Sequence, residues 1–152
     1  MSNVVQLSTG PRCRVLIAHE RNLVRHALRT LIETEDVVVV EASDGDDALN
    51  ELGRSRFDLL VIQLDLPEHD GTEVVLMHRL LLDQLQPGEP PDVILTLPRE
   101  IRDNRAVTDR LRSLGITEFI DDEPRGDVAG LVEMILRARL IRRSELGKPA
   151  AA

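Results

Sequence analysis

Five short apolar runs recur along the chain at regular intervals, and they constrain the fold more than any other feature of the sequence. In chain order they occupy residues 15–18, 37–40, 59–62, 93–95 and 119–120. Each has about the length of a β-strand, and most are rich in β-branched residues. None alternates with polar residues, so both faces of each strand should be buried, as in a parallel sheet.

Helical patterns separate these runs. A first apolar stripe with helical spacing consists of Val24, Ala27, Leu28 and Leu31. Residues 46–52 and 71–85 predict a second and a third helix, and the prolines after residue 86 end the third. Pro98 can open a fourth helix that ends at Gly115, and Asp127 is the expected N-cap of the last.

Five β–α units in one chain of 152 residues predict a single α/β domain. Right-handed crossovers make it a doubly wound, five-stranded parallel sheet with helices on both faces. We expect the domain to span residues 13–143, including an extended last helix, with an N-terminal tail over 1–12 and a C-terminal tail over 144–152. The functional site of such a sheet lies at the carboxyl ends of its strands.

Composition excludes several classes of function. The net charge of −8 and the near absence of aromatic residues argue against a nucleic-acid partner. The single cysteine excludes an internal disulfide. No stretch approaches the roughly 20 apolar residues of a membrane span, and the N-terminus lacks the pattern of a signal peptide, so we expect a cytoplasmic protein without a membrane partner.

Several motifs together resemble the receiver domain of bacterial response regulators in two-component signalling. They are the run over 15–20 that ends in His19-Glu20, the segment 58–71 with Pro67 and Asp70-Gly71, and the runs over 94–96 and 115–120. The resemblance covers about residues 13–140. It implies a flavodoxin-like strand order and a place in a phosphorelay.

The resemblance also implies a phosphorylation site, and this sequence departs from it. In the family an acidic pair after the first strand holds Mg²⁺, and an aspartate after the third accepts the phosphoryl group. A Thr or Ser after the fourth strand and a Lys after the fifth bind the phosphoryl oxygens. The corresponding residues here are His19 with Glu20, Gln63, Thr96 and Asp122, and only Thr96 and the aromatic position, Phe119, keep the family pattern.

These substitutions remove the nucleophile, weaken the metal site and add negative charge where an anion should bind. We therefore expect a stand-alone pseudo-receiver that signals through protein contact without aspartate phosphorylation. Its implied partner is a histidine kinase or another regulator. The sequence shows no arrangement of nucleophile and base, so no enzymatic activity is expected.

Two alternatives remain open at the site itself. Asp65 lies two residues after Gln63 and is a candidate for a displaced phosphoryl acceptor. Glu20 and Asp65 together are candidates for at most a weak Mg²⁺ site, and no other cofactor is expected.

Two arginine-rich segments are candidates for binding. Arg102 and Arg105 on the fourth helix, with Phe119, mark the expected partner face. The last helix carries Leu136 and Leu140 at helical spacing together with Arg139 and Arg142. This pattern is typical of a homodimer or partner helix, and the alternative is a sensor that binds an anionic nucleotide there.

Overall fold

The computed structural model describes residues 13–84, 88–122 and 127–146. Its five parallel strands are β1 (Cys13–Ala18), β2 (Val37–Ala42), β3 (Leu59–Gln63), β4 (Asp92–Leu97) and β5 (Glu118–Asp121). They form one sheet in the order β2-β1-β3-β4-β5. This confirms the doubly wound fold, because the order reverses between β1 and β3.

Within the described residues, six helices connect or follow the strands. They are α1 (Asn22–Ile32), α2 (Gly45–Arg54), α3 (Gly71–Gln84), α4 (Arg99–Arg102), α5 (Arg105–Ser113) and α6 (Val128–Leu146). Among the described helices, none has the length and hydropathy needed to cross a membrane.

Two hydrophobic cores lie on the two faces of the sheet. Successive residues of one strand point to opposite faces, so Leu16 packs in the core beneath α2, α3 and α5, and Ile17 packs in the core beneath α1 and α6. In β3, Leu60 packs in the same core as Leu16, and Val61 packs in the same core as Ile17. This double burial explains why the strands read as continuous apolar runs.

The expected helices form, with differences at two places. The buried stripe of α1 consists of Val24, Leu28 and Ile32, whereas Ala27 is exposed and Leu31 is 44% exposed. The helix expected between Pro98 and Gly115 is divided into α4 and α5. Asn104 causes the division, because its side chain caps α5 by accepting hydrogen bonds from the Ala106 and Val107 backbone nitrogens.

The last helix begins and ends close to the expected residues. Asp127 caps α6, since its carboxylate accepts a hydrogen bond of 2.7 Å from the Gly130 nitrogen. The helix continues to Leu146, three residues past the expected boundary at 143. The expected N-terminal tail (1–12) and the rest of the expected C-terminal tail (147–152) lie outside the described residues.

Candidate functional site

The carboxyl edge of the sheet brings the predicted site residues together. Gln63 ends β3 and lies beside Thr96 in the register of β3 and β4. His19 and Glu20 follow β1 directly, and Asp122 follows β5. The adjacency follows from the fold, because the ends of parallel strands meet at one edge.

Gln63 is 4% exposed, and its carboxamide binds the acidic residues around it. Its Nε2 donates hydrogen bonds to Glu20 Oε2 at 2.7 Å and to Asp65 Oδ1 at 3.0 Å. Its Oε1 accepts a hydrogen bond of 2.9 Å from the Glu20 backbone nitrogen. Both amide protons and the carbonyl oxygen thus have partners within the site, and the amide separates two carboxylates.

The chain after Gln63 is held close against it. The Gly71 nitrogen donates a hydrogen bond of 2.9 Å to the Leu64 carbonyl oxygen. A Cβ at Gly71 would lie 2.5 Å from the Gln63 carbonyl oxygen, so only glycine allows α3 to begin here. This contact fixes the position of the loop that carries Asp65.

A second group of side chains surrounds Thr96. Its hydroxyl donates a hydrogen bond of 3.0 Å to Asp122 Oδ1, and the same oxygen lies 3.5 Å from His19 Nε2. The Thr96 hydroxyl, which the resemblance assigns to a phosphoryl oxygen, is therefore held by a carboxylate of the chain itself. The sequence predicts these residues at one edge of the sheet but does not predict this pairing.

His19 is buried, at 1% exposure, and its environment defines its protonation. Its Nδ1 accepts a hydrogen bond of 3.0 Å from the Arg21 backbone nitrogen, so a neutral ring carries its proton on Nε2, which faces Asp122. Burial lowers the pKa of His19 below its usual value, and the neighbouring Asp122 carboxylate opposes this shift only in part. His19 is therefore a neutral imidazole at neutral pH.

The residues at this edge do not fit a Mg²⁺ site. Glu20 and Asp65, the two candidate ligands, are both bound to the Gln63 amide, and Asp122 is bound to Thr96. In the described part of the chain, no group of three or more His, Cys, Asp or Glu side chains is placed to hold a metal ion. An amide proton donor stands between the carboxylates, which is the wrong partner for a cation.

The expected partner face is partly engaged within the chain. Arg102 lies 3.4 Å from Asp121 Oδ1, which joins α4 to the end of β5. The guanidinium of Arg112 lies over the ring of Phe119, 5.4 Å from its centroid. Arg105 is exposed at the start of α5. The structure thus brings Arg102 and Phe119 to the same side of the sheet around β5.

The expectation that Arg139 serves as a surface residue for a dimer or an anionic ligand is wrong. Arg139 is 2% exposed and lies under the amino edge of the sheet. Its Nε is 3.3 Å from Asp58 Oδ1, and its Nη1 is 3.3 Å from Asp92 Oδ2. The guanidinium is surrounded by carboxylates of the same chain, so it cannot bind an external anion.

The other three residues proposed on this helix, Leu136, Leu140 and Arg142, also contact other parts of the same chain. Leu136 is buried in the core beneath α1 and α6, and Leu140 packs against that core. Arg142 lies on the surface within 3.4 Å of Glu89 and Asp92. None of the three therefore projects freely from the helix.

Asp58 is a structural residue that sequence analysis missed. It precedes β3, is 6% exposed, and accepts a hydrogen bond of 2.8 Å from the Arg14 backbone nitrogen. It also contacts the guanidinium groups of Arg139 and Arg143. The available signal was an acidic residue directly before an apolar strand together with surplus arginines in the last helix.

Comparison with known families and sequences agrees with this geometry. Residues 15–121 match the model described as the response regulator receiver domain. Response regulator MprA of Mycobacterium ulcerans is 32% identical over 140 residues, which cover 91% of this chain and 54% of that protein. A protein-glutamate methylesterase/protein-glutamine glutaminase of Rhodopseudomonas palustris is 29% identical over 109 residues, 70% of this chain and 26% of that protein. The chain spans between a quarter and about half of the curated relatives it matches.

Solved structures show the same fold. The receiver domain of Saccharomyces cerevisiae Ssk1, crystallised with the histidine phosphotransfer protein Ypd1, has a TM-score of 0.71 and 16% identity, and the match covers 89% of this chain and 94% of that one. The receiver domain of NarL from Mycobacterium tuberculosis has a TM-score of 0.64 and 21% identity, with 91% and 99% covered.

Proposed function

Because the chain belongs to the response regulator receiver domain family, we propose that it is a pseudo-receiver, which signals by protein–protein contact without aspartate phosphorylation. The observation that carries this proposal is the position of Gln63. It occupies the end of β3, where the family has its phosphoryl acceptor, and its amide is bound to Glu20 and Asp65.

The chemistry of Gln63 supports the absence of phosphoryl transfer. An acyl phosphate forms when a carboxylate oxygen attacks phosphorus. The nitrogen of a carboxamide has its lone pair delocalised into the carbonyl group, and here both of its protons are donated to carboxylates. The carbonyl oxygen accepts from the Glu20 nitrogen. Neither atom is a free nucleophile.

The charge around Thr96 supports the same proposal. A phosphoryl group bound there would approach Asp122, which lies where the family has a lysine, and would meet repulsion instead of neutralisation. Because the Thr96 hydroxyl donates its hydrogen bond to Asp122, it already has an anionic partner within the chain. The conformation of this edge is therefore set by the chain itself, and a binding partner, not a phosphoryl group, would change it.

The proposed partner is a histidine kinase, a phosphotransfer protein or another regulator. Receiver domains interact with such proteins, as the Ssk1–Ypd1 complex illustrates. The exposed side chains of Arg102 and Arg105 favour an acidic surface on the partner. The expected stand-alone action and the absence of enzymatic activity stay predictions, because relatives of this domain belong to longer proteins that include methylesterases.

Incubation with acetyl phosphate and Mg²⁺, followed by intact-mass measurement, tests the proposal. The wild-type chain should gain no phosphoryl group. The triple variant His19→Asp, Gln63→Asp, Asp122→Lys, which restores the family residues, should gain one that hydroxylamine removes. Labelling of the wild type would overturn the proposal. If Asp65→Asn abolished that labelling, Asp65 would be a displaced acceptor and the chain a functional receiver.

A further inference from the structure

The outer face of α6 exposes large apolar side chains, although it points away from the core. The inner face is already used, since Val128, Val132 and Leu136 are buried beneath the sheet. On the opposite side Met134 is 60% exposed and Ile141 is 57% exposed. A surface helix normally presents polar residues there, and a helix that is apolar on both faces is normally covered on both.

The exposed side chains form one continuous stripe at helical spacing. A shallow depression of about 340 Å³ runs along it. It is lined by Gly130, Glu133, Met134, Arg137, Ala138 and Ile141. Large and small residues alternate along the stripe, so it has both projections and hollows.

This stripe is complementary to itself when two helices run antiparallel. A twofold axis near residues 135–136 makes residues at equal distances before and after the axis face each other. Ile141 then meets Gly130 of the second copy, and Met134 lies beside Ala138 of the second copy. Each large side chain faces a position with little or no side chain, which is the fit that close helix packing requires.

The charges on the stripe are complementary in the same arrangement. Glu133 and Arg137 form an ion pair of 2.6 Å within one chain. The same twofold axis places Glu133 of one copy beside Arg137 of the other, once on each side of the axis. Opposite charges at the rim favour this register and disfavour a parallel one.

We propose that the chain forms a symmetric homodimer through the outer face of α6, with the two helices antiparallel. A larger depression of about 620 Å³ between α6 and the end of α1 adjoins the stripe at Ile141. Leu31, with 44% exposure, lies at its edge, so the second copy would cover apolar surface beyond the helix pair. The dimer uses residues other than Arg139 and Arg142, and it does not depend on the state of Gln63.

Sedimentation equilibrium of the whole chain over a wide concentration range tests this proposal. The wild type should show a monomer–dimer equilibrium. Ile141→Glu should raise the dissociation constant at least about tenfold, because it places an unpaired carboxylate in the contact. Leu80→Glu is the matched control, since Leu80 is 58% exposed on α3, on the other face of the sheet, and should change it less than about twofold. A wild type that stays monomeric, or an equal effect of the two variants, overturns the proposal.

Charge exchange tests the antiparallel register. Glu133→Arg and Arg137→Glu should each weaken self-association, because each places like charges together across the axis. An equimolar mixture of the two variants should form dimers as tightly as the wild type, since each unlike pair then faces correctly. Single variants that self-associate as tightly as the wild type contradict the antiparallel register, because the oppositely charged variants would attract each other in a parallel contact as well. Both substitutions lie on the helix surface, and circular dichroism serves to check that each variant is folded.

Discussion

Gln63 and Glu20 are joined by two hydrogen bonds, one from the Gln63 amide nitrogen to the Glu20 carboxylate and one from the Glu20 backbone nitrogen to the Gln63 carbonyl oxygen. This pair fastens the end of β3 to the loop after β1. Together with the hydrogen bond to Asp65, it gives two carboxylates at this edge an amide partner, where the family has a cation.

Gln63→Asp alone should not restore phosphorylation. The new carboxylate would still lie near Asp122, with the neutral imidazole of His19 in place of an acidic metal ligand and no lysine to bind the phosphoryl oxygens. Intact-mass measurement after exposure to acetyl phosphate and Mg²⁺ should show no stable adduct. An acyl phosphate formed as readily in this variant as in the triple variant would contradict the role given to His19 and Asp122.

Gln63→Glu should destabilise the fold by about 2 kcal/mol or more, because it replaces a double donor by a third carboxylate between Glu20 and Asp65. Gln63→Met removes the hydrogen bonds without adding charge and should cost less. Urea denaturation at neutral pH measures both variants against the wild type. The gap between the two variants should narrow at about pH 4, where carboxyl groups protonate. A Gln63→Glu variant as stable as Gln63→Met would show that the amide protons contribute little.

Stability should fall as the pH drops below about 6.5, the pKa of histidine in an unfolded chain. Burial lowers the pKa of both His19 and His78 in the folded state, so the unfolded chain binds protons first. The contribution of each histidine to the free energy of unfolding is fully present above about pH 6.5. It decreases as the pH falls from there to the pKa of that histidine in the folded protein, with a slope of at most about 1.4 kcal/mol per pH unit.

Substitution of each buried histidine separates its contribution to this pH dependence from that of the other titratable groups. His19→Gln should flatten the dependence of unfolding free energy on pH between about pH 6.5 and 5. His78→Gln should remove the contribution of the second buried histidine in the same way. If both variants kept the wild-type slope, burial of the two histidines would not be its source.

Arg139→Ala should destabilise the protein by about 3 kcal/mol or more, because it leaves Asp58, which is 6% exposed, with a buried charge and one fewer partner. Arg142→Ala should change stability by less than about 1 kcal/mol, since Arg142 is exposed and its ion pairs with Glu89 and Asp92 are screened by water. Thermal or urea unfolding measures both. Equal effects would contradict the structural role of Arg139.

The fold could be predicted from the sequence because its strongest signals are local. Strand runs such as residues 15–18 and 59–62 are apolar throughout, and this is visible without knowledge of the neighbours. Individual residues mark several helix ends. Gly115, for example, follows α5 with a φ of +85°, a conformation that glycine adopts readily. The register of Gln63 was also visible, because Pro67 and Asp70-Gly71 follow it at fixed offsets.

The contacts that depend on distant residues could not be predicted in this way. Arg139 and Asp58 are 81 residues apart in the chain, and only the packing of α6 under the sheet brings them together. A sequence pattern records that arginines crowd one helix, but not which of them points inward. The bond between Thr96 and Asp122 has the same origin, since it joins the ends of two neighbouring strands. The division between α4 and α5, by contrast, follows from a local signal, the cap at Asn104.

The most direct test of the central claim is an NMR titration of backbone amides in the wild-type chain with Mg²⁺ and then beryllofluoride, which mimics a phosphoryl group on an aspartate. We predict no saturable shifts at Gln63, Thr96 or Phe119, because the carboxylates at this edge are already bound to Gln63 and Thr96. Saturable, Mg²⁺-dependent shifts that extend to Phe119 would show a working acceptor carboxylate, and the pseudo-receiver assignment would then be wrong.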